Sequence, residues 1–149
     1  MMKTLDLKGI GELILQIGEQ RGAEETEAYV VSNRVLTVRL VNNAVFEAKG
    51  VHDIGAGLRV IKTRGLGFGS TADLSPKSLK NAVKAALDAS KARKLPFKYT
   101  FPSPAKAPRV SGVYDDRLVK LPSDGAVELA YDMVKASMAF NRKIIDNSG

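Results

Sequence analysis

Residues 51–90 read VHDIGAGLRVIKTRGLGFGSTADLSPKSLKNAVKAALDAS, and their patterning decides the fold. Leu58 and Val60 alternate with Arg59 and Ile61, the period of a strand. Arg64-Gly65 supplies a tight connection into Leu66, Gly67, Phe68, Gly69 and Ser70, a last strand whose small alternate residues leave its backbone open to close approach. A helix follows. Ser75 is placed to cap it, because its hydroxyl can accept from an orphan N–H, and Pro76 at the first helical position gives up only a donor that has no partner there. Leu79, Ala82, Val83, Ala86, Leu87 and Ser90 recur on one face, and the helix is expected to end near Lys94.

Upstream, Leu7, Ile10, Ile14 and Ile17 recur at helical spacing, predicting a helix from about Leu5 to Arg21 that Gly22 stops. Gly9, Gly11 and Gly18 weaken it by about 1 kcal/mol each relative to alanine, so packing must hold it. Period-two patterning then marks strands at residues 28–33 and 35–41, a turn at Asn42-Asn43, and a continuation through Val45, Phe46 and Ala48. The expected fold is α+β: an antiparallel sheet of about 4–5 strands, an N-terminal helix and an amphipathic helix packed on it, and a third helix near the C-terminus.

Downstream, residues 95–108 read LPFKYTFPSPAKAP, where Pro96, Pro102, Pro104 and Pro108 forbid regular structure. Phe97, Tyr99 and Phe101 alternate there, a pattern suited to pinning an extended connector to the domain surface. The third helix is expected from Ser123 or Asp124. Residues 142–149, RKIIDNSG, begin a strand signal and stop, from which a truncated chain is expected. The resulting division is an N-terminal α+β domain over residues 1–95, a proline-rich connector over 96–110, and the start of a following region over 111–149.

Composition bounds the chemistry. One histidine, His52, and no cysteine remove thiolate nucleophiles, disulfides and most zinc constellations. The N-terminus does not read as a secretory signal and no run reaches about 20 apolar residues, so a soluble cytoplasmic protein without membrane association is expected. Net charge is +7, but residues 1–74 hold nine basic and nine acidic side chains; the excess lies in residues 75–109, with nine lysines and arginines against Asp88 alone. The glycines at 55, 57, 65, 67 and 69 do not have the spacing of a P-loop or of a dinucleotide turn. Ser70-Thr71 lacks a neighbouring base, and Glu24-Glu25 and Asp115-Asp116 read as solvated loop carboxylates.

Several elements agree, in order, with one family. Gly55-Ala56-Gly57-Leu58-Arg59-Val60-Ile61, then Arg64-Gly65, then Gly67-Phe68-Gly69-Ser70-Thr71 before a helix resembles the N-terminal region of the TldD/PmbA proteins, as do the upstream helix, the strand from Glu27 and the stretch NNAVFEAKG. The resemblance covers residues 5–95 well and the remainder loosely. It implies a longer cytoplasmic protein, often a pair of related subunits, one of them a zinc metalloprotease acting on peptides or unfolded chains. The family's other description, modulator of DNA gyrase, names a biological effect. Its zinc motif, a His-Glu-x-x-x-His helix, has no match at any position here, so no catalytic, cofactor or metal residue carries over, and zinc is expected only in a downstream part of a catalytic member.

The function expected on that basis is non-catalytic: subunit assembly with a homologous partner, or formation of a substrate cleft. Arg64, Gly65, Gly67, Phe68, Gly69 and Ser70 form the candidate peptide-contact edge, since small alternating side chains admit a partner backbone by strand addition. The alternative is a basic nucleic-acid-binding module contacting phosphates through Lys77, Lys80, Lys84, Lys91, Arg93 and Lys94, which no recognition motif accompanies. Last comes a small-molecule enzyme holding an anion with Arg59, Arg64 and Ser70-Thr71, without an evident base.

Overall fold

The computed structural model describes residues 6–92, 94–103 and 105–149. Helix α1 spans Leu7–Gln20, and the Asp6 carboxylate accepts from the Gly9 N–H at 2.9 Å to cap it. Its end is a Schellman motif: Gly22 has φ +75°, Gly22 N–H donates to Glu19 O and Ala23 N–H to Gly18 O. Leu5, placed in this helix by the sequence reading, lies outside the described residues.

Three long strands follow, β1 (Glu25–Val41), β2 (Ala44–Lys62) and β3 (Gly65–Thr71), in an antiparallel sheet of order β1-β2-β3. The expected 4–5 strands are therefore three. The segments read as separate strands at 28–33 and 35–41 are one, as are 45–48 and 58–63. Residues 32–35 and 46–50 are exposed, so no buried face imposed an alternation there, and the backbone continues without it.

Asn42 and Asn43 both take positive φ, the requirement of a two-residue hairpin turn that matches strand twist. The second hairpin turns at Thr63-Arg64, with φ of 49° and 62°, one residue earlier than the expected Arg64-Gly65. Gly65 is instead the first residue of β3, paired with Lys62. Helix α2 spans Pro76–Ala92.

The chain divides into two compact units, one formed by Met1–Asn33 with Asp53–Ala105, the other by Arg34–His52 with Lys106–Gly149. The first holds the main core: Ile14 and Ile17 of α1, Ala56, Leu58 and Val60 of β2, and Leu79, Ala82, Val83, Ala86 and Leu87 of α2. Leu58 and Val60 pair across the ladder with Gly69 and Gly67. A Cβ at Gly67 would lie 2.8 Å from both Ala86 C and Ser90 N, and one at Gly65 2.7 Å from Ser90 C. The helix backbone thus occupies the space that side chains would fill. Four helical residues rise about 6.0 Å and two strand residues about 6.8 Å, so Ala82, Ala86 and Ser90 keep step with Gly69, Gly67 and Gly65.

In the second unit, a short helix α3 (Asp116–Lys120), not expected from the sequence, precedes α4 (Ser123–Phe140), which matches the third helix that was. Asp115, read as a loop carboxylate, caps α3 by accepting from Arg117 N–H at 2.8 Å. Arg34 donates to the Val119 and Leu121 carbonyls, each at 3.0 Å, which satisfies acceptors at the end of that helix. Residues 142–149 form no strand; Leu40 and Gly149 nonetheless exchange two backbone hydrogen bonds, at 2.7 and 3.1 Å.

Candidate functional site

The sheet of the first unit has two unlike faces. Thr26, Ala28 and Val30 of β1 and Ala56, Leu58 and Val60 of β2 turn toward the helices. Alternation sends Glu25, Glu27 and Tyr29, Gly57, Arg59 and Ile61, and Leu66, Phe68 and Ser70 to the opposite face.

One end of that face is covered by the proline-rich connector. Arg64 Nη2 donates to Pro96 O at 2.7 Å, Leu95 N–H donates to Arg64 O, and Phe101 N–H donates to the Glu25 carboxylate at 2.7 Å. Ile61 is 4% exposed, beside Pro96, Phe97 and Tyr99 of the connector. Arg59 lies at the border. Its Nε donates to Glu27 Oε2 at 2.6 Å, with a second contact from Nη2 to the same oxygen, and its guanidinium sits 4.9 Å from the Phe101 ring centroid. The hydrogen bond to Glu27 raises the arginine's already high pKa, so the cation is permanent.

Beyond this border the face is open. Glu27, Tyr29, Gly57, Arg59, Phe68 and Ser70 line a trough of about 460 Å³. Gly57 forms its floor; a Cβ there would meet nothing within 4 Å. Tyr29 and Phe68, on the two outer strands, remain 71% and 57% exposed. Two large aromatic side chains left in water beside a bare backbone make an apolar surface that a guest can cover.

Of the six residues of the expected peptide-contact edge, Phe68, Gly69 and Ser70 line this trough, Arg64 holds the connector, and the Cβ positions of Gly65, Gly67 and Gly69 face the backbone of α2. Tyr29, Gly57, Glu27 and Arg59 were not grouped with them from sequence. They come from β1 and β2, and the only local signal was strand alternation.

The expected anion contacts are distributed differently. Lys84 and Lys91 both bind Asp88, at 2.8 and 2.7 Å, and hold its carboxyl down at about 2. Lys94 Nζ donates to Thr63 O at 2.9 Å; Lys77 and Lys80 are exposed on α2; Arg93 lies outside the described residues.

The residues do not fit a metal. Among the described residues no group of three or more His, Cys, Asp or Glu side chains is placed to hold one. The carboxylates nearest the trough serve the fold instead: Glu24 accepts from Thr63 N–H at 2.6 Å, Glu25 from Phe101, and Glu27 from Arg59. His52 belongs to the second unit.

Residues 26–90 match the family profile described as PmbA/TldA metallopeptidase domain 1. Among solved structures, the chain is similar to TldE from Thermococcus kodakarensis, with a TM-score of 0.75 and 20% identity over 89% of this chain and 30% of that one. It is also similar to a protein from Thermotoga maritima described as a candidate modulator of a DNA gyrase, with a TM-score of 0.66 and 18% identity over 93% of this chain and 31% of that one. The chain thus spans less than a third of the length of either. At such identities the likeness is one of fold. No curated protein matches the sequence.

Proposed function

We propose that this chain, whose residues 26–90 match domain 1 of the PmbA/TldA metallopeptidases, is a non-catalytic polypeptide-binding domain, contributing a docking face to the substrate cleft or subunit contact of a larger protein. The observation that carries this is the uncovered half of the sheet, where Tyr29 and Phe68 stand exposed over Gly57. The covered half supports the same reading, because it already accepts an extended segment of this chain, residues 95–101, through backbone hydrogen bonds and aromatic contacts.

The peptidase chemistry in the family's name needs a metal and a base. The acidic residues beside the trough are committed to backbone amides and to Arg59, so hydrolysis belongs to another part of the protein or to a partner subunit. The test is made on the purified 149-residue chain. Saturable binding of a fluorescein-labelled dodecapeptide of mixed sequence, without its cleavage and without stoichiometric zinc, is expected. Cleavage of the peptide with one bound zinc per chain would overturn the proposal, as would absence of binding at millimolar peptide.

A further inference from the structure

Tyr29 stands on β1 and Phe68 on β3, with β2 between them. Two inter-strand spacings, about 9.6 Å, separate the strands that carry them, and Phe68 lies two residues, about 6.8 Å, along β3 from Ser70, the partner of Gly57. The middle strand contributes no side chain there, because the residue is Gly57, paired with Ser70. Arg59 and Phe68, the next pair on this face of the ladder, lie at one end.

Charge narrows the choice of guest. Glu27 and Arg59 neutralise each other, and Phe101 covers the guanidinium. Neither charge is left for an ionic ligand, so a cationic or anionic side chain would lose water without gaining a partner. The chain itself shows what the face accepts. In the covered half, Tyr99 and Phe101 lie edge to face, with ring centroids 6.0 Å apart, on a segment whose backbone is extended and hydrogen-bonded to Glu25. The trough continues that bed past Arg59.

Resting on the docking role proposed above, we infer that this trough selects an aromatic residue: a neutral, extended polypeptide segment binds with one aromatic ring seated between Tyr29 and Phe68 over Gly57. Specificity comes from the gap that glycine leaves in the middle strand. The Ser70 hydroxyl, paired in register with Gly57, offers a partner for a tyrosine hydroxyl or for a peptide group of the guest.

The test is a titration of the 149-residue chain with four fluorescent heptapeptides that differ only at the central position: Phe, Leu, Ala or Lys. The Phe peptide is expected to bind at least tenfold more tightly than the Ala and Lys peptides, and more tightly than the Leu peptide. Gly57→Val fills the trough where no atom is displaced; it should weaken the Phe peptide at least tenfold while leaving the unfolding temperature unchanged or higher. Phe68→Ala should weaken the Phe peptide and leave the Ala peptide unaffected. If all four peptides bind equally and Gly57→Val abolishes them all, the aromatic selection is wrong and the docking role stands. Should Gly57→Val leave Phe-peptide binding intact, the trough is not the seat. If none of the four binds, the docking role itself falls.

Discussion

Two glycines of one sheet predict opposite outcomes for the same mutation. At Gly67 a methyl group would stand 2.8 Å from Ala86 C and Ser90 N and closer still to the Ala86 carbonyl oxygen. Ordinary contact is about 3.5 Å or more, so α2 must withdraw by at least ~0.7 Å, and a gap of about 0.5–1 Å forfeits a quarter to a half of the dispersion attraction across it. Leu79, Val83 and Leu87 are the large side chains that α2 buries in the core, each stabilising by roughly 1.5–3 kcal/mol. Losing a quarter to a half of that sum gives about 1–4.5 kcal/mol for Gly67→Ala, a large part of a domain stability of roughly 5–15 kcal/mol. Gly57→Ala meets open space on an extended strand and should be neutral or stabilising by about 0.5–1 kcal/mol. Urea unfolding followed by far-ultraviolet circular dichroism reads both, with Gly67→Ala expected to lower the midpoint by about 1–2 M. A midpoint for Gly67→Ala equal to that of the parent would refute the claim that the glycine alternation exists to admit the helix backbone.

Thr63 is a β-branched residue at φ 49°, and Thr63→Asn should raise stability by about 1 kcal/mol by relieving that conformation, measured by urea unfolding. Ser75→Ala removes the acceptor for Ser78 N–H at the start of α2 and should cost about 1 kcal/mol in the same assay. Asp88 is held down at about 2 by hydrogen bonds from Lys84 and Lys91. Its pKa is therefore lower in the folded chain than in the unfolded one, so its contribution is complete above about pH 4 and disappears as pH falls from there through about 2. Asp88→Asn should flatten the stability profile over that window alone, and unfolding midpoints collected at half-unit pH intervals will show whether it does.

Much of the first unit was legible from residue order. The α2 start at Ser75-Pro76 and its buried face could be read directly, as could the stop of α1 at Gly22, because caps and helical periodicity are local signals. Strand continuity was not. Around Arg34 and Lys49 the chain is exposed, and a strand that buries nothing carries no alternation to read. The β2–β3 turn was displaced by one residue because Gly65 is the obvious carrier of positive φ, yet that glycine is needed to make room for Ser90, and the turn is left to Thr63 and Arg64. The small residues of β3 announced close approach without naming what approaches. The trough was the least legible feature: its residues sit on three strands up to 43 positions apart, from Glu27 to Ser70, and no spacing rule links them.

The distribution of engaged and open groups supports the docking role we propose for this face. Catalysis requires ionisable groups held away from their ordinary partners, so that they can act on a substrate. Here Glu24, Glu25, Glu27, Arg59 and Arg64 are all engaged by backbone groups or by one another, and moving any of them would loosen a turn or the connector. What is left without a counterpart is apolar: the rings of Tyr29 and Phe68 and the bare backbone at Gly57. Surface of that kind gains free energy only when something covers it. The same absence of a side chain that lets α2 settle on Gly65, Gly67 and Gly69 leaves space on the other face at Gly57. On one face that space is filled within the domain, and on the other it is the seat we propose for a docked segment.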